Sequence, residues 1–366
     1  MLNRRDFLIG GSIIAGTSLL SGCSKSQFED KSININRNKK VKMKLATSWP
    51  DNFPIMGTGV SNFANRVREV SGGSIDIEVY GKNRLVPALA VFDVASSGGI
   101  DIFHSGPYYW KGKNPAISIF GGVPFGMTFT ENMSWFKNGG GYDLWREIYD
   151  RYNLYPLLGG NTGPQMGGWF RKKIDSIDDL KGLKMRIPGL GGELFSRLGV
   201  NPILLPAGDI FTALERGTID ASEWVGPALD MKMGFHKVAK YYYSGWTEPA
   251  SVLELTFNKQ SWQKLSKEQQ IMIKLVSNEM NTDMLYNFQS ENAIALEKLS
   301  QNRDVQISAF PDDVIATAKI EYSKLIDQFV SENSDFAKVW KSYSKFLEQN
   351  RDWSGLSSRN YLNARD

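Results

Sequence analysis

The sequence predicts an α/β protein in which two lobes share one chain, followed by long C-terminal helices. Three observations predict this class. Strand, helix and strand patterns alternate over residues 42–103, a similar unit recurs between residues 178 and 224, and beyond Ser266 the pattern changes to long helical stretches. With 366 residues, 42% of them hydrophobic and 22% charged, the chain can bury the cores that two lobes require.

The first segment is a leader. Arg4-Arg5-Asp6-Phe7-Leu8 is a twin-arginine pattern, and residues 7–22 form an apolar stretch, rich in Gly and Ser, that is too short to span a membrane. Residues 1–22 therefore read as a signal peptide of the twin-arginine type, a route that exports folded proteins. The stretch ends in Leu20-Ser21-Gly22-Cys23, where small residues lead up to the single cysteine of the chain. This resembles a bacterial lipobox, which implies acylation of Cys23, cleavage just before it, and a periplasmic protein held to the membrane by lipid. The alternative is a chance cysteine in a hydrophobic leader. With Cys23 lipidated, the mature chain has neither a free thiol nor a disulfide, and cysteine catalysis is excluded. Residues 24–40 lack the hydrophobicity to pack and read as a tether.

The folded part starts near Val41. Lys42 to Ala46 forms a short strand that runs into Thr47-Ser48-Trp49-Pro50. Val60, Phe63, Val67 and Val70 fall at helical spacing, with Gly72-Gly73 as the stop. Ile75 to Tyr80 alternates strictly, as a strand does. Residues 91–95 continue as a helix and 100–103 as a strand. In the middle of the chain, 178–180 is a helical turn, 183–187 a strand, and 193–198 and 211–215 are helices. Ser266 with Gln269 matches a capping box and opens a helix that reaches about Gln301. Residues 304–310 alternate like a strand. Pro311-Asp312-Asp313 opens a helix with Val314, Leu325 and Phe329 on its apolar side, and a last helix around 339–347 precedes a polar, loose tail.

The net charge of +4 comes from dispersed Lys and Arg, which argues against a nucleic-acid partner. The inventory for catalysis is thin. There are two histidines, and no G-x-S-x-G, H-E-x-x-H or P-loop pattern. His104, at a strand end, reads as a structural or ligand-contacting residue, and His236 as a surface one. Pro188 to Gly192 is a Gly-rich loop before a helix, only weakly suggestive of anion binding.

Polar and aromatic residues at strand ends are more informative, because ligands bind there in open α/β sheets. Gly159 to Phe170 surrounds Asn161 and Gln165 with glycines, which suits close backbone approach, a hinge or a plain turn-rich connector. Arg186 ends a buried-looking strand, where its planar fork suits a carboxylate, although a salt bridge explains it equally well. Glu223, beside Trp224, and Glu248, beside Trp246, could ligate a hard cation through oxygen. They could also act as acid and base, or form separate ion pairs.

Taken together, these segments resemble the substrate-binding proteins of tripartite ATP-independent periplasmic (TRAP) transporters. The resemblance runs through Leu85-Val86-Pro87-Ala88, Val91-Phe92-Asp93, Tyr108 to Pro115, Val123 to Met127, Gly160 to Trp169 and Glu223 to Pro227. It covers nearly the whole chain after the tether and is similar to the branch that binds 2-oxo and 2-hydroxy monocarboxylates with a metal ion. It implies a two-lobed periplasmic binding protein fold, no enzymatic activity, and a small organic acid handed to membrane permease subunits. It also implies that Arg186 pairs with the substrate carboxylate. Gln165, Glu223, the Trp224 carbonyl and Glu248 would surround the cation, with Asn161, Tyr108, Tyr109 and Trp224 lining the cleft. Sodium-holding members can carry a neutral amide at the position of Glu248. Two carboxylates plus an acid ligand favour Ca²⁺, with Na⁺ as the alternative.

The division that follows is a signal peptide at 1–22 and a tether at 23–40. The first lobe is 41–160 with 226–252, the second is 161–225 with 253–310, and a helical segment spans 311–366 whose apolar face makes a homodimer possible. The readings from other classes are a secreted enzyme, with Glu223 as base and His104 as acid, and a binding protein coupled to a membrane sensor.

Overall fold

Residues 40–366 are described by a computed structural model. The segments expected as signal peptide and tether, with Cys23 between them, lie outside the described residues.

The chain begins with β1 (Val41–Thr47), α1 (Met56–Val70), β2 (Ile75–Tyr80), α2 (Val91–Ser96) and β3 (Ile102–Ser105). β2 and β3 flank β1 on opposite sides, both parallel to it. The alternation read in β2 buries Ile75 and Ile77 and turns Glu78 outward. Three helices follow, α3 (Ile117–Gly121), α4 (Phe129–Asn138) and α5 (Gly141–Asp150), before β4 (Leu154–Asn161). The chain then crosses to a second sheet. There it forms β5 (Gly168–Phe170), β6 (Lys184–Arg186), α6 (Gly189–Arg197), β7 (Asn201–Ile203), α7 (Ile210–Glu215), β8 (Ala221–Ser222), α8 (Pro227–Lys232) and β9 (Tyr241–Tyr243). It returns to the first sheet as β10 (Val252–Asn258), continues through α9 (Lys259–Gln263) and α10 (Lys267–Ser300), and adds β11 (Gln306–Ser308) to the edge of the second sheet. The strand orders are β2-β1-β3-β10-β4 and β11-β9-β5-β8-β6-β7. Last come α11 (Asp312–Glu332), α12 (Ser334–Ser354) and α13 (Asn360–Arg365).

The strands correct the expected lobe boundaries. Residues 226–252 were assigned to the first lobe, yet β9 pairs with β5 in the second sheet, where Tyr242 stacks on Trp169 with ring centroids 4.1 Å apart. Residues 253–310 were assigned to the second lobe, yet β10 is buried along its whole length between β3 and β4 of the first sheet. The physical reason is that the alternation of Leu253-Glu254-Leu255-Thr256-Phe257 marks a strand with two distinct faces but says nothing about which neighbours it pairs with, and here the polar face is buried as well. The crossings therefore fall between Asn161 and Gly168 and between Tyr243 and Val252.

Helix α10 opens with the expected capping box. Ser266 Oγ accepts from the Gln269 N–H at 3.2 Å, and Gln269 Oε1 accepts from the Ser266 N–H at 3.0 Å. Its 34 residues span about 50 Å at 1.5 Å per residue. It packs on α1 and β4 of the first lobe and on α8 of the second, where the Ala228 N–H donates to Asn292 Oδ1 at 2.9 Å. The tail expected to be loose is helical: α12 continues through a π-helical turn at Gly355–Arg359 into α13. Polarity misled here, because a helix lying on the surface needs only a narrow apolar stripe. The Gly-rich run at 188–192, expected as a loop, supplies the first turn of α6.

Candidate functional site

Tyr108, Gln165, Arg186, Pro188, Glu223, Trp224 and Glu248 line a narrow cavity with about 10 Å³ open to a water-sized group. That is room for about one water or one ion, far below sites for drug-sized ligands. The strand ends place these groups. Arg186 is the last residue of β6, Glu223 follows β8, and Gln165 and Glu248 lie in the two crossings. Tyr108 arrives from the first lobe in a 3-10 turn, Pro107–Trp110. Gly189 permits its approach. This residue has φ +64°, and a Cβ there would lie 2.9 Å from the Tyr108 Cβ.

Arg186 is 1% exposed and fully engaged on its inner side. Its Nε donates to the Leu205 carbonyl at 3.2 Å, Nη1 to the Glu223 carbonyl at 2.8 Å, and Nη2 to the Tyr109 hydroxyl at 3.1 Å. The Trp224 ring lies under the guanidinium, 4.9 Å from centroid to Cζ. A guanidinium has five N–H donors, so these bonds leave one on each terminal nitrogen, and a carboxylate that meets both terminal nitrogens approaches end-on. The Glu223 carboxylate is 3.6 Å from Nη1, too far for a good hydrogen bond.

The opposite wall is made of oxygens. When the Gln165 amide points its oxygen at Glu223 Oε1 (2.5 Å) and the Trp224 carbonyl (3.0 Å), three acceptors converge, with no proton among them while Glu223 is ionised. When the amide is turned over, its N–H₂ donates to both, and its oxygen accepts from Thr162 Oγ1 (3.0 Å) and Ser251 Oγ (3.3 Å). The turned state satisfies the protein alone, and a cation at the point of convergence favours the first. Glu248 adds a buried carboxylate oxygen, Oε2, that no hydrogen bond satisfies. Among the described residues no group of three or more His, Cys, Asp or Glu could hold a metal, so any shell here must combine two carboxylates with neutral oxygens. That donor set fits a hard cation. Burial raises the pKa of Glu223 well above the ordinary carboxylate value, with Glu248 and Asp230 adding to the rise and Arg186 opposing it. Burial pushes Glu248 up to about 8, against a Ser251 hydrogen bond and the Arg186 charge. Burial therefore favours a proton on both carboxyl groups, and a positive charge at the site opposes it.

Two expected cleft residues do not line this cavity. Tyr109 acts through its hydroxyl on Arg186. Asn161, wholly buried at the end of β4, accepts from the Gly163 N–H at 2.8 Å through Oδ1 and leaves Nδ2 without a partner. His104 is no acid for Glu223. Its Nδ1 accepts from Trp49 Nε1 and its Nε2 faces the Gly159 carbonyl, both at 2.8 Å, and burial lowers its pKa to about 4. The sequence reading missed Pro188 as a wall, and Thr162 and Ser251 as the groups that steer Gln165. Their only signal was closeness in sequence to Arg186, Gln165 and Glu248.

Residues 45–333 match the family described as bacterial extracellular solute-binding protein, family 7. A monocarboxylate 2-oxoacid-binding periplasmic protein of Nostoc sp. is 36% identical over 99% of this chain and 98% of its own length. A TRAP periplasmic solute-binding protein from Pseudoalteromonas atlantica, solved with bound sodium and pyruvate, is 43% identical with a TM-score of 0.87, over 89% of this chain and 99% of that one. Its counterpart from Colwellia psychrerythraea, solved with bound calcium and pyruvate, is 42% identical with a TM-score of 0.87, over 89% of this chain and all of that one.

Proposed function

Because the chain belongs to family 7 of the bacterial extracellular solute-binding proteins, we propose that it captures a small 2-oxo or 2-hydroxy monocarboxylate outside the cytoplasm. It then delivers the acid to the membrane permease of a TRAP transporter. As a member of that family it is a binding protein and not an enzyme. The observation that carries the reading is Arg186, buried with two free N–H donors on the wall of a cavity too small for a large solute. A bound cation would supply charge neutralisation and a Lewis-acid contact to the oxygens of the acid. Gln165, Glu223, the Trp224 carbonyl and Glu248 would hold it, with Ca²⁺ favoured over Na⁺ by the two carboxylates.

Closure of the lobes excludes water, which strengthens each Arg186 contact relative to an open cleft. Tyr108 from the first lobe and Arg186 from the second meet at one cavity, as closure of two lobes on a ligand requires. The test is calorimetry with pyruvate on chelator-treated protein, with and without added Ca²⁺ or Na⁺. Binding is expected only with a cation, and equal affinity without one rejects the bridged site.

The same proposal places the chain at the periplasmic face of a membrane through a lipid on Cys23. A Cys23→Ser protein recovered in the soluble fraction supports this, and an unchanged membrane fraction rejects it. The outer sides of α11, α12, the π-helical turn and α13 expose Ile320, Val330, Trp353, Leu356 and Tyr361, which supports a homodimer through the C-terminal helices. A monomeric mass in light scattering at micromolar concentration opposes it.

A further inference from the structure

We propose that Asp230 is a positioning residue of the cation site, holding the Glu223–Gly226 turn so that the Glu223 carboxylate and the Trp224 carbonyl face Gln165. This rests on the bridged-cation reading above. Asp230 lies in α8 and is 1% exposed, and among the described residues no Lys or Arg pairs with it. Its Oδ2 accepts from the Tyr242 hydroxyl at 2.8 Å and from Trp169 Nε1 at 3.1 Å, and its Oδ1 accepts from the Val225 N–H at 3.3 Å. A carboxylate buried without a cationic partner is costly unless hydrogen bonds compensate it, and here those bonds converge on the turn that carries the oxygens.

β8 ends at Ser222, and the start of the turn is fixed at Glu223, whose N–H donates to the Arg186 carbonyl at 3.0 Å and whose carbonyl accepts from Arg186 Nη1 at 2.8 Å and Ser222 Oγ at 3.1 Å. Its far end is held by Met166 N–H to the Val225 carbonyl at 2.9 Å and by Asp230 itself, through its N–H to the Gly226 carbonyl at 3.0 Å and its side chain. Trp169 and Tyr242 stand on β5 and β9, adjacent strands whose rings stack 16° from parallel. One end of Asp230 therefore grips two strands of the second sheet while the other grips the residue after Trp224. Outer groups of this kind orient the groups that touch a metal, and their loss weakens metal affinity about 10- to 100-fold. The competing explanation is an acidic residue that stabilises the first turn of α8. That role would lower stability without a specific effect on the cation.

In Asp230→Asn the shape is kept, but the N–H₂ must face either the Tyr242 and Trp169 donors or the Val225 N–H. Terbium, a luminescent stand-in for calcium, would be titrated into wild-type and variant protein with excitation of tryptophan, Trp224 being the nearest sensitiser. Pyruvate affinity would be measured by calorimetry at saturating Ca²⁺. The expected result is a terbium half-saturation at least tenfold higher, with pyruvate affinity at saturating Ca²⁺ within threefold of wild type. Tyr242→Phe, which keeps the stacked ring and deletes one donor, should give an intermediate shift of about threefold to tenfold. A half-saturation within threefold of wild type in both variants overturns the proposal, as does an equal loss of terbium and pyruvate affinity. If Asp230→Asn does not fold, Tyr242→Phe and Trp169→Phe decide, and no shift in either overturns it. Wild-type protein that binds neither terbium nor calcium rejects the cation reading itself, an outcome separate from the failure of Asp230.

Discussion

Replacing Arg186 by Lys keeps the charge and removes the planar fork. Wild-type Arg186 is oriented by Leu205, Tyr109 and Glu223 so that one N–H on each terminal nitrogen is left for the ligand. A lysine ammonium can place one donor on the carboxylate, and its remaining donors cannot reach all three orienting groups. The loss is about one charge-assisted hydrogen bond, roughly 1.5–3 kcal/mol. At 1.4 kcal/mol per decade this is a fall of about 10- to 150-fold in affinity. Arg186→Met removes the charge as well and leaves the ligand carboxylate unpaired in a closed cavity, a cost of about 2–5 kcal/mol, or from about 30-fold to several thousand-fold. Calorimetry with pyruvate at fixed, saturating Ca²⁺ measures both, and melting curves of the ligand-free variants separate misfolding from lost recognition. If the Lys variant binds within threefold of wild type, the bidentate geometry is wrong. If Met and Lys variants weaken binding equally, the charge of Arg186 is not what holds the acid.

Glu248→Gln removes one negative charge from the oxygen set, and Coulomb energy scales with cation charge, so Ca²⁺ should lose about twice the binding energy that Na⁺ loses. A fall of about 100-fold for Ca²⁺ against about 10-fold for Na⁺ is expected in competition titrations, and an equal fall for both refutes a direct contact. Glu248, pushed up to about 8, holds a proton at neutrality that a cation must displace, and Glu223 is shifted in the same direction. Ca²⁺ affinity should therefore rise from pH 6 to pH 8, with proton release visible as buffer-dependent heat. The same shift has a stability sign: an acid raised from 4.5 to about 8 costs nothing below pH 4.5 and destabilises the fold as pH climbs to 8, by at most about 5 kcal/mol for Glu248. Metal-free protein should thus lose melting temperature between pH 5 and pH 8, and a flat profile contradicts the buried carboxyl. Two ion pairs join the lobes, Lys82 with Asp209 at 3.0 Å and Lys111 with Glu193. Partly exposed pairs contribute about 0.2–1 kcal/mol each. Lys82→Gln with Lys111→Gln should speed pyruvate release about threefold to tenfold in stopped flow and abolish its acceleration by salt, while wild-type release at low salt equal to the variant's excludes a latch.

Much of this protein was legible one residue type at a time. Strict alternation at Ile75 to Tyr80, helical spacing from Val60 to Val70 and the Ser266 capping box are local patterns, set by side-chain period and by hydrogen bonds within four residues, and the strand and helices stand where those patterns put them. The residue types of the site were equally readable, because a fork-shaped cation at a strand end and carboxylates beside tryptophans are unusual choices for a core. What the sequence could not carry was distance between segments. Nothing local to Val252–Asn258 says which sheet it joins, since a strand covered on both faces reads the same in either. Nothing local to Gln165 says that its amide meets Glu223, 58 positions on, or that Asp230 reaches back to Val225 while gripping Trp169 and Tyr242. Those pairings are decided by the two crossings between the sheets, which bring the ends of distant strands together. Burial then acts on the assembled cluster, so that Glu223 and Glu248, ordinary carboxylates in the chain, both shift toward the protonated form, a shift that a cation opposes.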